Sequence, residues 1–556
     1  MKKAFFCSLL AATFVFATRY QAQNATFDNA GISDPTWVAM VISNEAADGG
    51  QYVQMGEGSI AFDINITVAG PYDVWVNYSN TYGGDKTQNI TINGAGFGAQ
   101  VFPETGTSLN FERIKIVAGR NFSAGAHTIG IQKNWGWIDV DYIEVVPFEE
   151  TTQFNITTVL ATPNASERAK EMYAFLLENF GKKTISGVMT GASESDVAGN
   201  LANQTEVAYI ASVSGGKMPA LLGFDFMHTT YEESWSQSYT NSLLRLTEEL
   251  YNMGGIPIYN WHWRNPNRTD HGFFANNQDP QTTFDIATAF TDYTFETFNT
   301  GSTVYNNIIR DIDLISGHLK TLADKGIPVL WRPLHEAAGG WFWWGRDKRP
   351  NPNKKLWILM FDRMVNHHGL NNLIWVWTCE EGATALDWYP GDQYVDIIGR
   401  DFYASDNNYG SLSASFQNLK EIYGGKKIIA LSENGPIPHP NNMQEDGAYW
   451  SFFMPWYDWY TKDASQNPAS HWQAVMNHSF VLTLDDMPGW NGTTTVLSGN
   501  PQNSQPFDIT AIDFSKAKVY DMHGKRVAAN SFAELKNGVY IVKINGIAKK
   551  IAVNRQ

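Results

Sequence analysis

The chain has 556 residues, with 40 Lys+Arg against 56 Asp+Glu, a formal net charge of −16 and two cysteines. That balance argues against a nucleic-acid partner, which needs a basic face for phosphate contacts, and 43% hydrophobic against 17% charged residues excludes a disordered chain. At roughly 150 residues per domain, two to four domains are expected. The 20 Trp, 24 Tyr and 32 Phe either fill a large core or offer stacking platforms for ring-shaped ligands.

Lys2 and Lys3 precede an apolar run from Ala4 to Ala17 that ends in small residues, which predicts a secretory signal peptide over residues 1–17. A cut after Ala22 is the alternative. The run is too short to span a bilayer, and no later stretch is long enough, so a soluble exported protein without a membrane span is expected. Cys7 leaves with the signal. Cys379 then stands alone, no intramolecular disulfide forms, and stability must come from burial.

Residues 18–148 read as short strands and turns. In Ser59–Val68 and Tyr72–Tyr78 apolar residues alternate with polar ones, and turns such as Asn93-Gly94 break the strands. An all-β sandwich of the jelly-roll kind is predicted. Over residues 149–498 apolar strands alternate with helical stretches. Eight strand candidates begin at Thr184, Ala220, Ile256, Ile327, Asn372, Val395, Lys427 and Phe480, the last running to Leu484. Near-continuous apolar strands of this kind are buried on both faces, and eight strand-helix units fit a (β/α)8 TIM barrel. An open doubly wound sheet competes, but no Gly-rich phosphate loop follows any strand. Residues 499–556 form a third unit, a small β module behind the loose segment Ser498–Pro506. Its last 46 residues carry nine Lys+Arg against three Asp+Glu, opposite in sign to the rest.

A barrel places its chemistry at the C-terminal ends of its strands. The fourth strand candidate runs into Arg332-Pro-Leu-His335-Glu336, with Trp341, Trp343 and Trp344 close behind; the seventh runs into Glu433-Asn434. Strands four and seven lie across the rim from one another, so Glu336 and Glu433 can face one another over a substrate. Glycoside hydrolysis needs such a pair. The ordinary alternative for either Glu is a helix cap or an Arg pair, and core packing is as good a reading for Trp343 and Trp344. Asp225 and His228 past the second strand are weaker candidates, and Asp485-Asp486 serve substrate binding or loop capping.

These motifs resemble glycoside hydrolase family 26, whose best-known members are endo-β-1,4-mannanases. The resemblance spans most of residues 160–490. Trp-Arg332-Pro-Leu-His335-Glu336 followed by Gly-Gly-Trp341-Phe-Trp-Trp-Gly is similar to the acid/base signature, and Leu-Ser-Glu433-Asn-Gly-Pro to the nucleophile motif. Tyr259-Asn-Trp-His262 is similar to the third strand and the stretch ending at Tyr403 to the sixth. The first strand departs, with Ser186-Gly187-Val188-Met189 where many members have Gly-His. The resemblance implies a retaining double displacement without a catalytic cofactor, acting on β-mannan. Glu433 is then the nucleophile, Glu336 the acid/base, and His262 and His335 bond sugar hydroxyls. Tyr403 donates to Glu433, Arg332 keeps it ionised, and Trp341 stacks on the leaving-group sugar.

From Tyr20-Gln-Ala-Gln through Trp137-Ile-Asp-Val-Asp141 the sandwich resembles carbohydrate-binding module family 35. That resemblance implies a structural calcium held by residues 21, 23 and Asp141. The first two positions are Gln21 and Gln23 rather than carboxylates, which weakens the site. Trp135 and Asn134 are the expected sugar contacts, with a buried Trp the competing reading. Tethering a second sugar site raises effective concentration at a solid surface, so the module is expected to serve retention more than turnover. Lys518-Val-Tyr-Asp-Met-His-Gly-Lys-Arg-Val and Gly-Val-Tyr-Ile-Val-Lys543 resemble the sorting domain of the type nine secretion system of Bacteroidetes. The implied location is outside, or on the surface of, a Gram-negative bacterium, with the secretion machinery as a partner and a monomeric enzyme. Two other functions compete: a β-1,3-xylanase or mixed-linkage glucanase of the same family, and a catalytically silent glycan-binding surface protein.

Overall fold

The structure, a computed structural model, describes residues 17–230, 233–382 and 384–490, and strand segments within 517–553. The expected signal peptide, apart from Ala17, and the spacer Ser498–Pro506 lie outside the described residues. The chain divides into two compact units, residues 1–492 and 493–556.

The first unit holds a sandwich and a barrel, each with its own hydrophobic core. The sandwich strands are β1 (Thr18–Gln21), β2 (Thr26–Asp28), β3 (Met40–Ser43), β4 (Gln51–Gln54), β5 (Ser59–Ile66), β6 (Gly70–Ser79), β7 (Lys86–Ile92), β8 (Ala95–Phe102), β9 (Glu112–Phe122), β10 (Gly125–Trp135) and β11 (Asp139–Pro147). One sheet runs β3-β4-β11-β6-β9 with β1 on β11, and the other runs β2-β5-β10-β7-β8. Period-two patterning decides which face is inside: in β5 the side chains of Ile60, Phe62, Ile64 and Ile66 are buried and those between them are not.

The barrel strands are β12 (Thr184–Met189), β13 (Leu221–Asp225), β14 (Ile256–Asn260), β15 (Val329–Arg332), β16 (Leu373–Cys379), β17 (Ile397–Phe402), β18 (Ile428–Asn434), β19 (Phe452–Phe453) and β20 (Val481–Leu482). β12 to β18 are parallel neighbours in chain order, and all but two of their residues are buried, as strands covered by helices must be. The helices carry matching apolar stripes. In α1 (Thr303–Asp324), for example, Ile308, Ile312, Ile315, Leu319 and Leu322 face the sheet, and the Ser302 hydroxyl caps the first turn by accepting from the Tyr305 N–H.

The eighth barrel strand is not the one expected. β19 closes the ring: it pairs with β12, and Asn434 at the end of β18 bonds to Met454 and Trp456. The Phe480–Leu484 stretch contributes only β20, which pairs with Thr184 and Ile185 at the start of β12. Two regular residues, with Pro455 two positions on, make too short an apolar run to stand out beside the longer one at 480–484.

The sandwich is docked on the barrel. The Arg120 guanidinium meets Asp446 at 2.6 Å and Glu445 at 3.2 Å, and Asn121 donates to the Glu445 carbonyl. Gly410 touches β8 so closely that a Cβ there would stand 1.2 Å from the Phe97 carbonyl oxygen. In the connection between the two, Glu150 is held by Lys420.

The second unit contains β21 (Ala517–Asp521), β22 (Arg526–Val527), β23 (Gly538–Ile544) and β24 (Ile547–Val553), an antiparallel sheet in the order β22-β21-β23-β24. Cys379 is buried and free. Among the described residues no helix is long and apolar enough to cross a membrane.

Candidate active site

Arg332 ends β15, and the chain then turns sharply, with left-handed backbone at Leu334 (φ 51°) and Glu336 (φ 54°). Such conformations cost energy in residues with a Cβ and persist where the surroundings hold them. Glu433 lies at the end of β18. An irregularity between Arg400 and Asp401 sets Asp401 opposite Glu433, and Tyr403 follows just past β17. One carboxylate oxygen from each of Glu336, Asp401 and Glu433 lies within 4.8 Å of the others. A retaining pair needs a separation of about 5–5.5 Å, whereas an inverting pair stands about 6.5–9.5 Å apart to admit water.

Arg332 is fully buried among these acids. Its guanidinium donates to Asp401 at 2.7 Å, to Thr378 and Asn260 at 2.9 and 2.8 Å, and to Glu433. It therefore takes the place a cation would occupy in the acidic cluster. Tyr403 donates its hydroxyl to the other Glu433 oxygen, and burial beside Glu433 raises the Tyr403 hydroxyl well above its ordinary value, so it stays a donor. Among the described residues Glu336 has one donor, the Trp341 indole N–H at 2.9 Å. Burial raises both glutamates, as does the charge of Asp401. Arg332 and Tyr403 offset part of this for Glu433, which is left at about 7, while Glu336 stays well above the usual carboxylate range, so Glu336 holds its proton more tightly than Glu433 does. Of the two, Glu433 gives up its proton first and Glu336 keeps it longer, the order that an anion and an acid side by side require.

His262 and His335 stand edge to face, with ring centres 4.6 Å apart. Asp225, fully buried, accepts from the His262 backbone N–H at 3.0 Å and pairs with Nδ1 at 2.5 Å, which leaves Nε2 as the ring nitrogen available to a sugar hydroxyl. Burial raises the Asp225 carboxyl, but the His262 contacts outweigh it and hold it below its usual range. His335 is kept neutral by burial and by Arg332. Trp341 is half-buried beside Glu336. Gly339 makes room for its ring, since a Cβ there would meet it at 2.1 Å. Trp343 and Trp344 are buried, their indole N–H groups spent on the carbonyls of Trp263 and His335, so they are packing residues. His228 lies against Trp235 and Tyr239, pushed down to about 4 by burial. Asp486 caps its own turn through Thr483, in a segment bonded to Met218 ahead of β13 and so away from the rim.

In the sandwich, Trp135 is 60% exposed, against the reading of a core ring. The Lys86 ammonium lies 4.7 Å from its ring centre. Asn134 is tied down through its amide, which donates to Asn89. Gln21 Oε1, Gln23 Oε1 and Asp141 Oδ1 are buried without a hydrogen-bond partner. Around them the Asp48 N–H donates to the other Asp141 oxygen, the Gln21 amide donates to Asp48, and Gly49 packs against the Gln21 and Gln23 amides. Orphaned oxygens are costly unless something binds them, and an all-oxygen set suits a hard cation such as calcium.

Residues 161–486 match the model of Glycosyl hydrolase family 26, and residues 18–148 match Carbohydrate binding module (family 35). The chain belongs to glycosyl hydrolase family 26. The mannan endo-1,4-β-mannosidase of Thermothelomyces thermophilus is 33% identical over 484 residues, 85% of this chain and 91% of that protein. The GH26-CBM35 β-(1,4)-mannanase of Podospora anserina shares 32% identity and a TM-score of 0.54, over 85% of this chain and 99% of that one. A β-mannanase from a symbiotic protist of the termite Reticulitermes speratus, solved with a gluco-manno-oligosaccharide, shares 38% identity and a TM-score of 0.54, over 61% of this chain and all of that one. Within this family 26 barrel, Asp401, Asn260 and Thr378 belong to the site and were not singled out from sequence. Asp401 carried a usable signal, a carboxylate ending an apolar strand two residues before Tyr403.

Proposed function

We propose that the protein is a secreted endo-β-1,4-mannanase that hydrolyses mannan, galactomannan or glucomannan with retention. The observation that carries the reading is that Glu336 and Glu433 bring one oxygen each within 4.8 Å of the other, with Arg332 and Tyr403 bonded to one member of the pair only. Glu433 attacks the anomeric carbon as the glycosidic C–O bond breaks, and Glu336 passes its proton to the departing oxygen. Glu336 then takes a proton from water, which attacks the same carbon and releases Glu433. His262, oriented by Asp225, bonds a hydroxyl of the sugar being cleaved, and neutral His335 completes that wall. These side chains and water complete both steps. Trp135 is a sugar platform in the module, and Gln21, Gln23 and Asp141 hold a structural calcium whose loss on EDTA treatment lowers the module's melting temperature. Residues 1–17 direct export, residues 499–556 are the address read by the secretion machinery, and the enzyme works as a monomer outside a Gram-negative cell.

Reducing-sugar release from β-mannans, β-1,3-xylan and mixed-linkage glucan, with product sizing, tests the reading. Mannan should lead, with internal cleavage products, and Glu433→Ala should lose on the order of 10⁴-fold or more in kcat while remaining folded. A lead for xylan or mixed-linkage glucan would overturn the substrate, and an active Glu433→Ala the mechanism.

A further inference from the structure

Beside the catalytic rim, module and barrel share a polar atom. Asn89, on β7, accepts through its side-chain oxygen both from the Ser405 hydroxyl of the barrel and from the Asn134 amide of its own sheet. Ser405 lies two residues beyond Tyr403, which donates to Glu433, and two residues span at most about 7 Å. On the other side, Trp135 pairs with Thr87 on β7. Thr87 and Asn89 point to the same face of that strand, so Trp135 and Asn89 are diagonal neighbours about 7–8 Å apart. That face is the outer one, since Ile90 and Ile92 turn into the module's core.

The docking is fixed rather than loose. Arg120 is bonded to Asp446 and Glu445 on one flank, and Gly410 and Leu412 press against Phe97 and Gly98 on the other. A ring that is 60% exposed, on the sheet face reached by the loop of residues 403–412, is therefore held at a set distance from the nucleophile. A tethered module free to swing would place it at many distances.

We propose that Trp135 is a distal subsite of the catalytic groove: a β-mannan chain bound over Glu433 continues past Tyr403 and Ser405 onto the Trp135 ring. This rests on the mannanase reading and revises the expectation that the module serves solid-surface retention alone. A subsite on a fixed platform adds contacts to a chain already in the cleft, so it acts on soluble substrates once they are long enough to reach it.

The test uses the full chain and soluble β-1,4-manno-oligosaccharides from the triose upward. With the wild type, kcat/KM should rise with length. Trp135→Ala should leave the triose unchanged and lose about tenfold on the longest chains, and Trp135→Tyr should recover much of that loss. Ser405→Ala, which removes the bridge and keeps the ring, should cut the long-chain advantage in part. If Trp135→Ala matches wild type at every length while losing retention on insoluble mannan, the ring is an independent anchor and the proposal falls. An equal loss at every length would also overturn it, as a general effect on folding. Failure of the wild type to cleave any manno-oligosaccharide would instead strike the mannanase reading itself and carry this proposal down with it.

Discussion

Glu336 and Glu433 have the same side chain and take opposite parts in the proposed double displacement, and the difference lies in what each touches. Glu433 has a buried guanidinium and a phenol on its oxygens, and Glu336 has one indole N–H. Both donors on Glu433 favour its charged form. Tyr403→Phe removes one of them without opening the site, so Glu433 will hold its proton to higher pH. The proposed double displacement requires Glu433 ionised and Glu336 protonated; the acid limb of the kcat/KM profile should therefore move to higher pH, while the alkaline limb, which that reading assigns to Glu336, stays. A freer nucleophile also loses alignment, at a cost on the order of 100-fold at the optimum. A pH–rate profile of the variant checks both effects, and a fall in rate with no movement of the acid limb would leave Tyr403 a packing residue. The two glutamates were legible in sequence because a polar residue ending an apolar strand is conspicuous. Asp225 was visible only as a weak candidate, and Asp401 only as one more carboxylate ending an apolar strand, because their roles depend on which strand lies beside them.

Seven of the eight barrel strands are legible because each is a continuous apolar run between helical stretches. The eighth misleads because closing a ring needs little of it: Phe452 and Phe453 pair on β12, and Asn434 bonds to Met454 and Trp456. The loop after β15 shows the reverse, a short sequence with a demanding shape. Gly339 is there because the Trp341 ring fills the space a Cβ would take. Gly339→Ala should push that ring away from Glu336, and the lost N–H donor had favoured the carboxylate. Glu336 will then keep its proton to higher pH, and the alkaline limb of kcat/KM should move up while the acid limb stays. Near-normal melting with that shift would separate an effect on the acid/base from one on folding. An unmoved alkaline limb would mean that the loop absorbs the methyl group without disturbing the Trp341 contact.

At the scale of the whole molecule, the sequence shows two modules and a polar connection but not that they are locked together. The locking contacts join residues more than 300 positions apart, and a lone Arg120 or Gly410 gives no sign of its partner. Asp446 is the center of the lock: its side chain is fully buried and accepts from Arg120 and from the Ser411 hydroxyl, and burial raises its carboxyl above the usual range. Arg120→Ala leaves that carboxyl buried without its cation, at a cost of about 1–3 kcal/mol. The module and barrel have separate cores, so the loss should fall on their docking. Scanning calorimetry should show a lower first transition, and kcat/KM should lose its gain on long manno-oligosaccharides although Trp135 is intact. Triose cleavage should be unchanged, because none of the catalytic contacts involves Arg120. Arg120→Lys keeps the charge but gives up the two-armed contact with Asp446 and Glu445, so it should fall between the two. If Arg120→Ala melts earlier yet keeps the full dependence on chain length, Trp135 is held in place by Asn89 and Gly410 alone, and the ion pair serves stability only.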